Sequence, residues 1–256
     1  AKHIIISLGG IGSFDGGAGM LQALGAKFYD DEANLVDVTK GAHVIKYIRR
    51  LDFSGIHPKL AEANIQVMSD FSSRLYGKQS EIMQMYPMLG MTQNEAAEID
   101  NLVWYFSELF KSELRVTIGP IERGGAGGGI AAVLNGLYQA EILTSHELVD
   151  QITHLEDLVQ QADLIIFGEG LNERDQLLET TTLRIADLTE KHHKTSIAIC
   201  ATDDKFDLFE GKGVTAMFNT FIEMPESYTD FKMGLQIRHY TVQALKLLKT
   251  QFDVNK

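Results

Sequence analysis

Residues 3–25 have the sequence HIIISLGGIGSFDGGAGMLQALG. The β-branched run Ile4–Ile6 predicts a buried strand, and the glycines that follow it predict a loop. Met20–Leu24 predicts a short helix, because Gly25 stands where a helix commonly ends. A strand, a glycine-rich loop and a helix in this order are typical of an α/β protein.

The same order of elements recurs along the chain. Thr92–Leu114 is the clearest predicted helix, because Thr92 and Glu95 form a capping box ahead of an apolar stripe, and we expect Trp104 in the core of that helix. The other predicted strands are Ala26–Tyr29, Ile65–Met68, Leu164–Phe167, Ile197–Ile199 and Val214–Phe218, and a last helix is predicted over Ile237–Phe252. This alternation predicts an α/β fold with mainly parallel sheets and helices on both faces.

We expect two lobes. The first is a glycine-loop α/β lobe over residues 1–160, and the second is a Rossmann-like α/β lobe over residues 161–256. The boundary is placed there because strand, loop and helix alternate regularly after Asp163.

Composition narrows the function. The chain has 35 acidic and 23 basic residues, and the resulting charge of −12 argues against a nucleic-acid partner. The single Cys200 excludes a disulfide framework and a cysteine-clustered zinc site. We find no apolar run long enough to span a membrane and no signal peptide, so we expect a cytoplasmic small-molecule enzyme.

Three glycine-dense turns are candidate binding elements, because a glycine backbone can approach an anion closely. The alternative is that these glycines only serve tight turns. The candidate substrate- or phosphate-binding residues are Gly9, Gly10, Gly16, Gly17, Gly125, Gly127, Gly128, Gly168 and Gly170.

Three carboxylates next to these turns or at strand ends are the candidate catalytic residues. Asp15 precedes a helix, so it is a magnesium ligand or an N-terminal cap, and its position favours the cap. Asp70 follows a predicted strand, where α/β sheets place ligands, although a turn-forming aspartate fits equally well. Glu169 lies between two glycines after a buried strand.

The stretch from Gly9 to Gly25 resembles the bacterial glycerate kinase family, which has GGSATNDGGAGMLQALG there. Four more stretches match in order: residues 51–61, Asp70 with Leu75 and Gly77, residues 125–129, and residues 168–170. The resemblance implies two α/β lobes with a cleft between them, one inserted in the other, with ATP, Mg²⁺ and D-glycerate as ligands. We expect the glycine turns over residues 9–17, 124–129 and 168–170 to face this common cleft, with Asp15 and Glu169 lining it. Because phosphoryl transfer needs mostly positioning and charge neutralisation, we infer that Asp15, Asp70 and Glu169 orient a metal or a hydroxyl group, with Asp15 and Asp70 as the metal ligands.

The chain departs from this pattern at several places. It has Ile11–Phe14 for SATN, Ser73-Arg74 for Asn-Pro and Lys78-Gln79-Ser80-Glu81 for PNGA. Residues 171–180 lack the usual lysine of RLDxQSLxGK. The family's opening segment, with its DSFKGS motif, is not found before Ile4. We therefore expect the chain alone to be a slow glycerate kinase. Two alternatives remain: a catalytically impaired binding or regulatory protein, and a different small-molecule enzyme. The expected protein partner is a second copy of this chain in a homo-oligomer, or a separate N-terminal segment.

Overall fold

The computed structural model describes residues 1–9, 11–69, 72–169, 181–201, 209–220 and 230–254. Two three-stranded parallel sheets with packed helices confirm the predicted α/β class. Contacts divide the chain into two units, Ala1–Ser145 and His146–Lys256. The division lies before the expected boundary at residue 160. Asp150 and Glu156 belong to the second unit, where both form ion pairs with Arg184.

The first unit contains a parallel sheet and a separate antiparallel ribbon. Its elements are β1 (His3–Ser7), α1 (Ala18–Ala23), β2 (Lys27–Tyr29), β3 (Arg50–Asp52), β4 (Asn64–Met68), α2 (Glu81–Met85), α3 (Gln93–Leu109), α4 (Ile130–Tyr138) and β5 (Glu141–Leu143). The parallel sheet has the order β1-β4-β5, and β2 pairs with β3.

One core cluster of the first unit lies on one side of this parallel sheet. Ile65 and Val67 of β4 cluster with Ala131 and Leu134 of α4. Alternation along the strand sends Ile5 to the opposite face, where it is 52% exposed. The carboxyl ends of β1 and β4 are therefore fixed by packing on a single face.

Helix α3 anchors a second cluster in the same unit. The Thr92–Glu95 capping box is confirmed, and α3 passes at Leu109 into a π-helical turn over Phe110–Leu114. That turn ends at Arg115, whose φ of 59° is left-handed. The expectation for Trp104 is wrong, because it is 47% exposed while Phe106 is fully buried.

The second unit is a layered α/β arrangement. Its elements, with the helix that leads into it, are α5 (Ser145–Thr153), α6 (Leu155–Gln161), β6 (Ile165–Glu169), α7 (Thr181–Lys191), β7 (Ser196–Cys200), β8 (Ala216–Asn219) and α8 (Asp230–Val254). The sheet order is β6-β7-β8. Ala186 of α7 packs with Phe167 and Ala198 on one face, and Ala244 of α8 packs with Ile197 and Ile199 on the other. Among the described residues, no helix is both long enough and apolar enough to cross a membrane.

Glu156 makes the stability of the second unit depend on pH. Its carboxylate accepts a hydrogen bond from Lys191 Nζ at 2.5 Å and, when His192 Nε2 carries a hydrogen, a second one from that nitrogen at 2.8 Å. These two hydrogen bonds lower the pKa of Glu156 from 4.5 to about 2. A carboxyl group whose pKa is lower in the folded than in the unfolded protein stabilises the folded state at pH values above its unfolded pKa. This stabilisation is lost as the pH falls towards 2. We expect the melting temperature to fall over that range, and to fall less in Glu156→Gln. The exposed control Glu210→Gln should follow the wild-type profile, and identical profiles for Glu156→Gln and wild type would contradict the prediction.

Candidate active site

The carboxyl ends of adjacent parallel strands bring two loops of the first unit together. Leu8, just after β1, donates from its N–H to Met68 O at 3.0 Å, and Ser69, just after β4, donates to Leu143 O at 2.8 Å. Ligands of parallel α/β sheets bind at this edge. The loop after β1 carries the first glycine turn, so that turn begins at the expected place.

The turn from Gly9 to Gly17 contacts the turn from Gly124 to Gly129. Gly16 N–H donates to Gly128 O at 2.8 Å. A Cβ atom on Gly128 would lie 1.7 Å from Ser13 O, and one on Gly129 would lie 2.6 Å from Gly16 Cα. Glycine is thus required here, because the two backbones leave no room for a side chain. Gly168 lies in β6 of the second unit, and the prediction that all three turns share a cleft stays a prediction.

Several of the proposed anion-binding amides already have acceptors inside the protein. Gly125 N–H donates to Ser73 O at 3.2 Å, Gly128 N–H to Glu81 Oε2 at 3.0 Å, and Gly17 N–H to Asp15 Oδ1 at 2.9 Å. An anion could reach these N–H groups only by displacing those acceptors. Their proposed role in ligand binding stays a prediction, as does that of Gly127, whose Cβ position lies 3.2 Å from Leu8.

The beginning of the first turn is different. A Cβ on Gly9 or Gly12 would meet no atom within 4 Å. Within the part of the chain that the structure describes, the backbone N–H groups of residues 11–14 donate no hydrogen bond. Open space beside free backbone donors can accommodate an anionic group.

Asp15 joins the open segment to helix α1. It is 9% exposed, and its two carboxylate oxygens accept hydrogen bonds from Gly17 N–H at 2.9 Å and Gly19 N–H at 2.8 Å. Gly17 occupies the N-cap position of α1, and the bond from Gly19 lets Asp15 satisfy an N–H group of the first helical turn. Each carboxylate oxygen can still accept a second bond, so capping does not prevent contact with a ligand.

The other predicted residues are less completely described. Asp70, Gly10 and Gly170 lie outside the described residues. Glu169 ends β6, where its backbone is in register with Cys200, but its side chain is not described. Among the described residues, no three His, Cys, Asp or Glu side chains come together as a metal site. Mg²⁺ often needs only one or two carboxylates besides phosphate oxygens, so Asp15 and Asp70 remain its proposed ligands.

Sequence reasoning missed two buried polar residues beside the glycine turns. Glu81 is 9% exposed and binds Gly128, whereas a glutamate in the first turn of a helix is ordinarily exposed to solvent. Ser73 is 2% exposed, and its hydroxyl has no hydrogen-bond partner among the described residues. The only sequence signal for either was a departure from the family pattern, Ser73-Arg74 for Asn-Pro and Glu81 for alanine.

Known proteins resemble this chain over most of its length. It is 30% identical to glycerate 2-kinase of Escherichia coli K12 over 220 residues, covering 86% of this chain and 57% of that protein. It is 29% identical to glycerate kinase of Halalkalibacterium halodurans over 234 residues, covering 91% and 59%. The chain therefore spans somewhat more than half the length of these relatives.

A solved structure and a family model agree with these relatives. The crystal structure of a Salmonella typhimurium LT2 protein assigned as glycerate kinase 2 superposes with a TM-score of 0.80 at 27% identity, covering 98% of this chain and 65% of that one. The model of the glycerate kinase family matches residues 1–240. With this match over nearly the whole chain, the protein belongs to the glycerate kinase family.

Proposed function

We propose that this chain takes part in the ATP-dependent phosphorylation of D-glycerate, with Mg²⁺ as the accompanying cation. The observation that carries the proposal is the family match, together with two glycine turns that meet beside Asp15 at the carboxyl edge of a parallel sheet. In the reaction, a glycerate hydroxyl oxygen bonds to the γ-phosphorus of ATP, the bond to the ADP oxygen breaks, and the hydroxyl proton passes to a carboxylate. Phosphoryl transfer depends mainly on positioning and charge neutralisation.

The proposed roles follow from the chemistry of each group. The open backbone of residues 11–14 would donate hydrogen bonds to a phosphate or to the glycerate carboxylate. Asp15 and Asp70 would hold Mg²⁺, and Asp70 or Glu169 would orient or deprotonate the hydroxyl group. The cytoplasmic location, any homo-oligomer and any separately encoded partner segment stay predictions.

A coupled assay of ADP release tests the activity. We expect turnover that requires both D-glycerate and Mg-ATP but is slow, because residues 171–180 lack the lysine of the family pattern. Loss of one group that stabilises transition-state charge lowers kcat by roughly 10²- to 10³-fold. Brisk turnover would contradict the expected slowness. The absence of turnover and of calorimetric binding of either ligand would contradict the proposed function, while binding without turnover would favour an impaired relative.

Two glycine substitutions localise the anion contact. Gly9→Ala and Gly12→Ala place a methyl group in open space, so the melting temperature should not change. If a ligand approaches this backbone closely, each methyl group should weaken its binding by about 10-fold, the factor expected when a close hydrogen bond is lost. Wild-type affinity in both variants would place the anion elsewhere.

A further inference from the structure

Glu81 is a buried carboxylate that the proposed reaction does not use. It is the first residue of α2, it is only 9% exposed, and its Oε2 accepts a buried hydrogen bond of 3.0 Å from Gly128 N–H. A carboxylate is rarely buried unless its oxygens are hydrogen-bonded, because burial costs it its hydration. The bond from Gly128 N–H satisfies one of the two carboxylate oxygens in this buried position.

The same bond connects Glu81 with the other glycine turn. The carbonyl oxygen of Gly128 accepts the N–H of Gly16 at 2.8 Å, and the next residue, Gly17, donates to Asp15 at 2.9 Å. The two peptide groups that flank the Gly128 Cα are thus held, one through its N–H by Glu81 and the other through its carbonyl by Gly16. The tight contact of the Gly128 Cα with Ser13 leaves these peptide groups little freedom while both bonds are made.

We propose that Glu81 is a positioning residue for the candidate site, one that fixes Gly128 and, through it, the turn that carries Gly16 and Asp15. This rests on the proposed function, since it is the D-glycerate and Mg-ATP site that would be positioned. The family pattern PNGA has alanine where this chain has Glu81, so the contact is a feature of this chain rather than of the pattern. Without an acceptor, the buried N–H of Gly128 is left unpaired, which favours opening of the turn.

Matched variants distinguish the effect of losing the hydrogen-bond acceptor of Glu81 from the effect of changing its side-chain volume. Glu81→Met keeps a similar volume but removes the acceptor, Glu81→Gln keeps an acceptor oxygen without the charge, and Glu98→Met is an exposed control on α3. Amide hydrogen exchange of Gly16 and Gly128 by NMR measures the coupling, and calorimetry measures the Kd of D-glycerate and Mg-ATP at a temperature where each variant is folded.

We expect Glu81→Met to speed the exchange of both amides and to weaken ligand binding, each by about 10-fold or more. Glu81→Gln should stay within roughly threefold of wild type, because an amide oxygen is still an acceptor. Glu98→Met should change neither quantity. A role in overall stability alone would leave the Kd of the folded variant unchanged, so the binding measurement tests positioning directly.

Contrary outcomes are distinguishable from failure of the proposed function. If the wild-type protein binds neither ligand, the proposed function fails, while exchange at Gly16 still tests the role of Glu81. Unchanged exchange at Gly16 in folded Glu81→Met overturns the inference, and so does wild-type binding by that variant. Tighter binding also overturns it, because the carboxylate would then be a competitor of the ligand. If Glu81→Met does not fold, Glu81→Ala replaces it and is judged by the same outcomes.

Discussion

Replacing Gly128 by alanine is expected to remove most of the stability of the first unit. The new Cβ would lie 1.7 Å from Ser13 O and 2.7 Å from Phe14 Cα, so backbone rather than a flexible side chain would have to move. The φ of +64° adds strain of its own for any residue with a Cβ. We expect a loss of more than about 4 kcal/mol, against a total of roughly 5–15 kcal/mol for a typical domain.

Gly90→Ala is the matched control for this prediction. Gly90 has a similar φ of +69°, but a Cβ on it would meet no atom within 4 Å. Its substitution should therefore cost only the left-handed strain, about 1–2 kcal/mol. Urea unfolding followed by the fluorescence of Trp104, the single tryptophan, reports on the first unit in both variants. Similar unfolding midpoints for Gly128→Ala and Gly90→Ala would show that the two glycine turns can separate at little cost.

Replacing Phe106 by alanine is expected to cost about 3–5 kcal/mol, the range for removing a large buried aromatic ring. Phe106 is fully buried, and its ring makes edge-to-face contacts with Phe28 at 5.8 Å and Phe110 at 5.1 Å between centroids. Its Cδ1 atom also lies 3.0 Å from the position of a Cβ on Gly16. The cavity would therefore open directly beneath the turn that carries Asp15, and ligand binding should weaken together with stability.

The control for the cavity is Met88→Ala, which removes an apolar side chain that is 58% exposed. Exposed substitutions of this kind change stability by about 0.5 kcal/mol. Urea unfolding measures both variants, and the Kd of Mg-ATP measured below the unfolding transition gives the effect on the site. Equal unfolding free energies for the two variants would mean that the core around Phe106 collapses without cost, contrary to this prediction.

Much of the fold follows from local sequence patterns. The capping box at Thr92 predicted the start of α3, and the runs around Ile65 and Ile197 predicted β4 and β7, because such signals depend on neighbours within a few residues. The same local signals do not distinguish every buried side chain of α3 from the exposed ones. Trp104 was assigned to the core, although the helix presents Phe106 there instead.

The sequence by itself determined the α/β class, the family and the position of the first glycine turn after β1. Only the tertiary structure decided which glycines have free space beside the Cα and which are packed against other atoms. The sequence around Gly9 and Gly12 is glycine-rich, as it is around Gly16 and Gly128, and so does not distinguish them. It also decided that the two carboxylate oxygens of Asp15 accept the N–H groups of Gly17 and Gly19, and that Glu81 is buried on Gly128. The physical reason is sequence separation: the contact of Ser13 with Gly128 joins residues more than a hundred positions apart, and no periodicity or propensity in either segment encodes the shape of the other.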